Sequence, residues 1–165
     1  MKKIRLFLYL IVFFFSTSCG YEPIYSKNIN KNINKELLSI SVKNIKNRSG
    51  QILRNSLLNQ LNPERERVIL KYNLVIEISE SKTDLAYRKD MAATRADLEN
   101  SAKYLLTEIK SGEIVLKQVA KSISSFDVVE SVYATLVAEK DSREKNLEVL
   151  TDNIYTNLVI FFKNK

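Results

Sequence analysis

Residues that could carry out chemistry are scarce in this 165-residue chain. It contains no histidine, so it has no imidazole base, no Ser-His or Cys-His pair and no His-containing zinc site. Its single cysteine, Cys19, can form neither an internal disulfide nor a thiolate metal cage. The three glycines, Gly20, Gly50 and Gly112, lie too far apart for a phosphate-binding glycine loop. We therefore predict no catalytic residue, no metal site and no bound cofactor, and a protein that is not an enzyme.

The formal net charge of +7 is partly located in a segment typical of an export signal. Lys2, Lys3 and Arg5 precede an unbroken apolar run from Leu6 to Phe15. That run is roughly half of the ~20 residues that a transmembrane helix needs, which disfavours a permanent membrane span. Cleavage before Cys19 would leave 23 basic residues against 19 acidic ones, a net charge of +4. Export and a nearly balanced mature charge disfavour a nucleic-acid partner.

The position of Cys19 indicates a covalent lipid. The small residues Ser16, Thr17 and Ser18 before it resemble the lipobox of bacterial lipoproteins, although Ser16 stands where an aliphatic residue is usual. Several acyl chains, at ~0.8 kcal/mol per buried CH₂, would hold the chain on a membrane. Gly20 in place of aspartate favours, by resemblance to sorted lipoproteins, the outer membrane. The alternative is an ordinary secretory signal followed by an unpaired thiol.

The segment after the cysteine is polar and repetitive. Lysine and asparagine dominate residues 27–35, and no helical periodicity runs through them. Such a stretch buries too little apolar surface to offset its chain entropy. We predict a signal peptide at 1–18, the lipidated cysteine and a flexible tether at 19–36, and one folded domain at 37–165.

Within that domain, apolar spacing predicts the element order β-α-β-β-β-α. Period-two alternation indicates strands near residues 37–45, 72–79, 94–109 and 114–126, the last with a bulge after Leu116. Spacing of three and four residues indicates a helix that ends at Pro63 and a long helix from Val132 to Lys163. The charged run at 139–146 is interpreted as a solvated face of the long helix.

This order predicts an α+β fold, a two-layer sandwich in which two helices cover one face of a four-stranded mixed sheet. A helical crossover allows strands one and two to be parallel, whereas the short later connections require antiparallel pairs. The other face of the sheet is then exposed and polar. The side chains expected there are Lys71, Glu77, Arg95, Asp97, Lys103 and Lys117.

The mature chain resembles a known family, the LPS-assembly lipoproteins (LptE) in their alphaproteobacterial form. The resemblance rests on the order and spacing of short segments rather than on any one of them. These are Cys19-Gly20-Tyr21 with Pro23 and Tyr25, Arg48-Ser49-Gly50-Gln51 before Leu53-Arg54-Asn55-Ser56-Leu57, Ala93-Thr94-Arg95, Ala102-Lys103-Tyr104-Leu105-Leu106, Ser131-Val132-Tyr133-Ala134, and Ala138-Glu139-Lys140-Asp141 with Arg143.

The resemblance implies a non-enzymatic role in the outer membrane. Such proteins sit in the lumen of the large barrel LptD, on the periplasmic side, help it to assemble, and aid delivery of lipopolysaccharide to the outer leaflet. Arg95, Lys103 and Lys117 are then candidate contacts for lipopolysaccharide phosphates, if neighbouring strands cluster them. They could equally pair with Asp97, Glu99 or Glu77 across strands. The alternative function is an outer-membrane lipoprotein module that binds another envelope protein or anionic polymer.

Overall fold

The computed structural model describes residues 31–87 and 93–165. The predicted signal peptide, Cys19 and the tether up to residue 30 lie outside the described residues. Seven elements follow in order: α1 (Lys31–Leu38), β1 (Ile40–Val42), α2 (Asn47–Leu61), β2 (Tyr72–Tyr87), β3 (Ala93–Glu108), β4 (Ile114–Asp127) and α3 (Val132–Asn164).

The four strands form one mixed sheet in the order β1-β2-β3-β4. β1 pairs with the first three residues of β2 in parallel, and the remaining pairs are antiparallel. Over residues 72–84 of β2, 95–106 of β3 and 116–127 of β4, the even-numbered side chains face the helices, while the odd-numbered ones form an outer face that no described element covers. The predicted α+β fold with a four-stranded mixed sheet is confirmed, with one helix more than expected.

The additional helix is α1, which begins inside the predicted tether. Ile33 and Leu37, one helical turn apart, are 8% and 3% exposed. They belong to the main core, the larger hydrophobic cluster, which is formed by α1, α2, the sheet and the second half of α3. The prediction that 31–36 is a flexible tether is therefore wrong, because two apolar side chains at helical spacing were enough to dock this segment. Leu38 also ends α1 rather than forming part of a strand, so β1 is only three residues long.

Helix α2 matches its predicted stripe, with Leu53, Leu57 and Leu61 almost fully buried. Its first turn lies very close to the preceding loop at Gly50. A Cβ atom built on Gly50 would lie 2.5 Å from Cγ2 of Ile45, so only glycine fits there without displacing Ile45. This close approach explains a glycine inside a helix, where it is otherwise unfavourable.

Helix α3 is 33 residues long, about 50 Å at 1.5 Å per residue. Its second half packs on the sheet through Leu147, Leu150, Ile154 and Leu158, all at most 1% exposed. Its first turns extend beyond the main core, and Tyr133 there is 79% exposed. No helix among residues 31–87 and 93–165 is long and apolar enough to cross a bilayer.

The irregularity in β4 occurs earlier than the alternation predicted. Leu106 pairs with Leu116 and Thr107 pairs with Ile114, so the extra residue is Val115. From Leu116 to Phe126 the strand keeps one phase, which leaves Val119 and Ile123 on the outer face at 53% and 59% exposure. The predicted shift after Leu116 is wrong because these exposed apolar residues were interpreted as inward-facing.

Candidate interaction surface

The outer face of the sheet brings six side chains of β2, β3 and β4 into two adjacent rows. Strand register places Val75, Leu105 and Lys117 side by side in one row and Glu77, Lys103 and Val119 in the next. These six residues, here called the outer patch, line an open depression of about 500 Å³. The patch combines exposed apolar surface with two lysines.

The lysines of the outer patch are not neutralised by ion pairs. Among the described residues, no carboxylate lies within 4 Å of the ammonium group of Lys103 or Lys117. Glu77 is directly opposite Lys103 in the register but does not approach to that distance. Lys103 and Lys117 are both exposed on the outer face.

Further along the outer face the charged and polar groups pair with one another. Lys121 Nζ lies 2.8 Å from Glu99 Oε1 on the adjacent strand. The hydroxyl of Ser125 donates to Asp97. The alternative in which Arg95, Lys103 or Lys117 pairs with Asp97, Glu99 or Glu77 is not found among the described residues, because Glu99 pairs with Lys121 and Asp97 accepts from Ser125.

Arg95 is separate from the two lysines. It lies on β3 eight residues before Lys103, about 27 Å away along an extended strand. Its register partner on β4 is Asp127. The expectation that neighbouring strands cluster all three cations is wrong for Arg95 and correct for Lys103 and Lys117.

A second feature is a buried polar cluster between the sheet and α3, which the sequence interpretation missed. Asn146 of α3 is 1% exposed, and its Nδ2 donates to the Leu98 carbonyl at 2.7 Å and to Asn100 Oδ1 at 3.0 Å. Its Oδ1 accepts from the Ser122 hydroxyl at 2.9 Å. The side chain of Asn146 thus forms hydrogen bonds with polar groups of both β3 and β4.

The cluster continues outward into charged residues. Asn100 donates to Glu80 Oε2 at 2.9 Å, and Arg143 binds both oxygens of Glu80 at 2.8 Å. Arg143 also contacts Glu139, which in turn accepts from Lys82. The Arg143 hydrogen bonds are the main factor holding the pKa of Glu80 below its usual value. Hydrogen bonds from Lys82 and then Arg143 similarly lower the pKa of Glu139.

Ser122, Asn146, Asn100, Glu80 and Arg143 together form a polar layer between the sheet and α3. This layer separates two hydrophobic clusters. The main core lies on the side of α1 and α2, and a small cluster of Ala96, Leu98 and Phe126 lies on the other side. The charged run 139–146 is therefore not simply a solvated face, as interpreted from the sequence. The signal that could have identified it is spacing, since Arg143 and Asn146 continue the helical stripe of Leu147 and Leu150.

The described residues contain no cluster of three or more acidic or cysteine side chains that could hold a metal ion. The candidate site is the outer patch, on a sheet whose other face contacts α3 through the polar layer.

Comparisons with known proteins address the fold. No family model matches the chain. A relative in Rickettsia prowazekii (strain Madrid E), uncharacterized protein RP188, is 26% identical and aligns over 96% of this chain and 99% of its own length. A solved structure from Caulobacter crescentus CB15, described as a candidate lipoprotein, superposes with a TM-score of 0.65 at 24% identity. It covers 81% of this chain and 96% of the Caulobacter chain. The chain therefore shares its fold with this Caulobacter structure.

Two further lipoprotein structures share this fold. The minor lipoprotein of Acinetobacter baumannii superposes with a TM-score of 0.58 at 13% identity, covering 73% of this chain and 90% of that one. Rare lipoprotein B of Shewanella oneidensis superposes with a TM-score of 0.50 at 10% identity, covering 73% of this chain and 94% of the Shewanella chain. At these identities the likeness concerns the fold alone.

Proposed function

We propose that this chain is a non-enzymatic lipoprotein of the outer membrane, anchored by lipid on Cys19. In this proposal it assembles with an LptD-type barrel, occupies the barrel lumen from the periplasmic side, and aids transport of lipopolysaccharide into the outer leaflet. The supporting observation is that the domain superposes on nearly the whole length of a candidate lipoprotein. The resemblance of the separate sequence segments to LPS-assembly lipoproteins supplies the more specific role.

The outer face of the sheet fits a water-lined barrel interior. Apart from a few apolar side chains it presents serine, threonine and charged residues, several of them already paired, such as Lys121 with Glu99. A barrel lumen is polar, so a partner with such a face can approach the wall without a large desolvation cost. A lipid anchor would raise the effective concentration of the domain beside the barrel.

The outer patch suits an amphiphilic anion. Lys103 and Lys117 offer two positive charges, and Val75 and Val119 offer apolar surface that is 42% and 53% exposed. Lipopolysaccharide combines phosphates with acyl chains, so it matches both properties. The same lysines are the candidates that the sequence identified, which makes them the first positions to test.

The deciding experiment is co-purification from detergent-solubilised membranes. A tagged chain should recover an LptD-type barrel, identified by mass spectrometry, and Cys19→Ala should reduce that recovery because the chain is no longer held at the membrane. Palmitate labelling should be lost in the same variant. Recovery of no barrel would contradict the assembly role, and unchanged labelling of Cys19→Ala would contradict the anchor.

A further inference from the structure

Strand β4 forms an open edge of the sheet. Its only neighbour among the described strands is β3, and the register between them is regular from Leu116 to Asp127. The strand contains no proline. The opposite edge, β1, is only three residues long, and its Val42 carbonyl accepts a hydrogen bond from Arg54 Nε at 3.2 Å. β4 is therefore the long edge of this sheet.

The backbone hydrogen bonds indicate which groups of β4 point away from β3. The amide of Val128, just beyond the strand, donates to the carbonyl of Thr94 at 2.9 Å. In an antiparallel pair, residues that bond to the neighbouring strand alternate with residues whose amides and carbonyls point outward. The even-numbered residues of β4 therefore bond to β3. The outward amides and carbonyls along the free edge belong to Val119, Lys121, Ile123 and Ser125, here called the edge residues.

The edge residues are accessible as well as unpaired. Among the described residues, no hydrogen bond reaches their outward amides and carbonyls. Helix α3 contacts the inner face of β4, through the hydroxyls of Ser122 and Ser124, whereas the edge side chains lie on the outer face. Val119 and Ile123 there are 53% and 59% exposed. A free edge of this kind is a template for pairing with another extended chain.

The side chains of the edge residues indicate the chemistry of that chain. They alternate between aliphatic and polar, with Lys121 as the one charged group and no carboxylate among them. Lys121 Nζ lies 2.8 Å from Glu99 on the β3 side, and its side chain is still 61% exposed. On an added strand, aliphatic side chains would pack opposite Val119 and Ile123, and a carboxylate opposite Lys121 would complete an opposite-charge pair. The edge thus fits an extended segment that carries an acidic residue between two aliphatic ones at every second position.

Two other occupants fit this edge less well. A second copy of the chain, paired edge to edge, would bring two copies of Lys121 to the same short surface, where like charges are unfavourable. A wall strand of a closed barrel is already paired on both sides. What remains for a barrel partner is a loop or a terminal segment that enters the lumen.

We propose that β4 pairs, by strand addition, with an extended loop or terminal segment of the barrel in whose lumen the domain is proposed to sit. This inference rests on the proposed function and adds the surface by which the partner is held. Backbone hydrogen bonds to the edge residues supply the attachment, and the alternating side chains select the segment.

The first test uses proline, which has no amide hydrogen. The amide of Ile123 points away from β3, so Ile123→Pro blocks the free edge and keeps the ladder with β3. Ile123→Ala is the matched control, because it removes the same side chain and keeps the amide. Both tagged full-length chains are purified from detergent-solubilised membranes. Ile123→Pro should recover several-fold less barrel than Ile123→Ala.

The second test is amide hydrogen exchange of the unchanged chain, alone and in the purified complex, measured at single residues by mass spectrometry. The amides of the edge residues should exchange about tenfold more slowly in the complex, whereas the amides already bonded to β3 should change little. This measurement decides the matter if Ile123→Pro lowers the melting temperature more than Ile123→Ala does.

Equal recovery of the barrel by the two variants, or edge amides that stay unprotected in the complex, would overturn the strand addition. The proposed function would then stand, since the unchanged chain still recovers the barrel. Recovery of no barrel by the unchanged chain would instead contradict the proposed function, and with it this inference.

Discussion

Arg143 and Glu80, 63 residues apart in the chain, form a two-point ion pair, Nε to Oε2 and Nη2 to Oε1, each at 2.8 Å. The pair connects α3 to β2 at the position where the main core ends. Two parallel hydrogen bonds fix direction as well as distance, so they set the rotation of α3 over the sheet. The interior polar groups of Asn146 and Asn100 continue this connection into the domain.

Asn146→Ala should lower the free energy of unfolding by about 2–3 kcal/mol, because it removes the buried hydrogen bonds of Asn146 to the Leu98 carbonyl, to Asn100 Oδ1 and from the Ser122 hydroxyl. Urea unfolding followed by circular dichroism measures this. Asn153→Ala, an exposed asparagine of the same helix, should change the value little. Equal losses in the two variants would show that the buried cluster contributes nothing specific.

Acid should destabilise the domain partly through Glu80. The hydrogen bonds from Arg143 lower the pKa of Glu80 in the folded state. The contribution of Glu80 to the free energy of unfolding is therefore complete above its unfolded pKa of about 4.3, and it is lost as the pH falls through the lowered folded pKa. The free energy of unfolding should therefore decrease below about pH 4.5, and less steeply in Glu80→Gln. Glu148→Gln removes an exposed carboxylate from α3 and serves as control. If Glu80→Gln kept the full wild-type slope, the ion pair would not be linked to folding.

Truncation of Ile33 tests whether α1 belongs to the folded domain. Ile33→Ala removes a side chain that is 8% exposed and in contact with the main core, and should cost about 2 kcal/mol of unfolding free energy. Asn32→Ala changes an exposed neighbour and should be near neutral. A negligible effect of Ile33→Ala would indicate that residues 31–36 belong to the flexible tether and not to the folded domain.

Replacing both lysines of the outer patch should weaken binding to lipopolysaccharide. Lys103→Gln with Lys117→Gln should raise the Kd about tenfold, equivalent to ~1.4 kcal/mol. Arg95→Gln with Lys121→Gln removes the same net charge from other positions of the outer face. Isothermal titration at low and high salt measures both, and the difference should shrink at high salt because exposed charges are screened. Equal effects of the two pairs would indicate a response to net charge rather than to the patch.

Much of the fold could be predicted from the sequence because each element has a strong apolar period. The inward residues of β3 from Ala96 to Leu106 and the α2 stripe of Leu53 and Leu57 were identified from spacing alone. The prediction failed where a segment was too short or too polar to show a period. α1 has only two buried apolar residues. In β4, exposed aliphatic side chains such as Ile123 have the spacing expected of residues that face the core.

The candidate site was predicted only in part. The sequence identified Lys103 and Lys117, but it could not separate them from Arg95, because the distance between side chains on a sheet depends on register. It also could not identify Asn146 as buried, because its environment is formed by strands about 24 to 48 residues away in the chain.

By itself, the sequence determined which residue types are missing and which residues form the layers. The absence of histidine, the single cysteine and the local periods of three, four and two residues are properties of composition and neighbouring positions. Only the tertiary structure decided which cations share a patch, how Arg143 and Glu80 meet, and that Lys71 contacts Glu36 of α1. These are long-range relationships, set by strand register and by the packing of α3 on the sheet rather than by any local pattern.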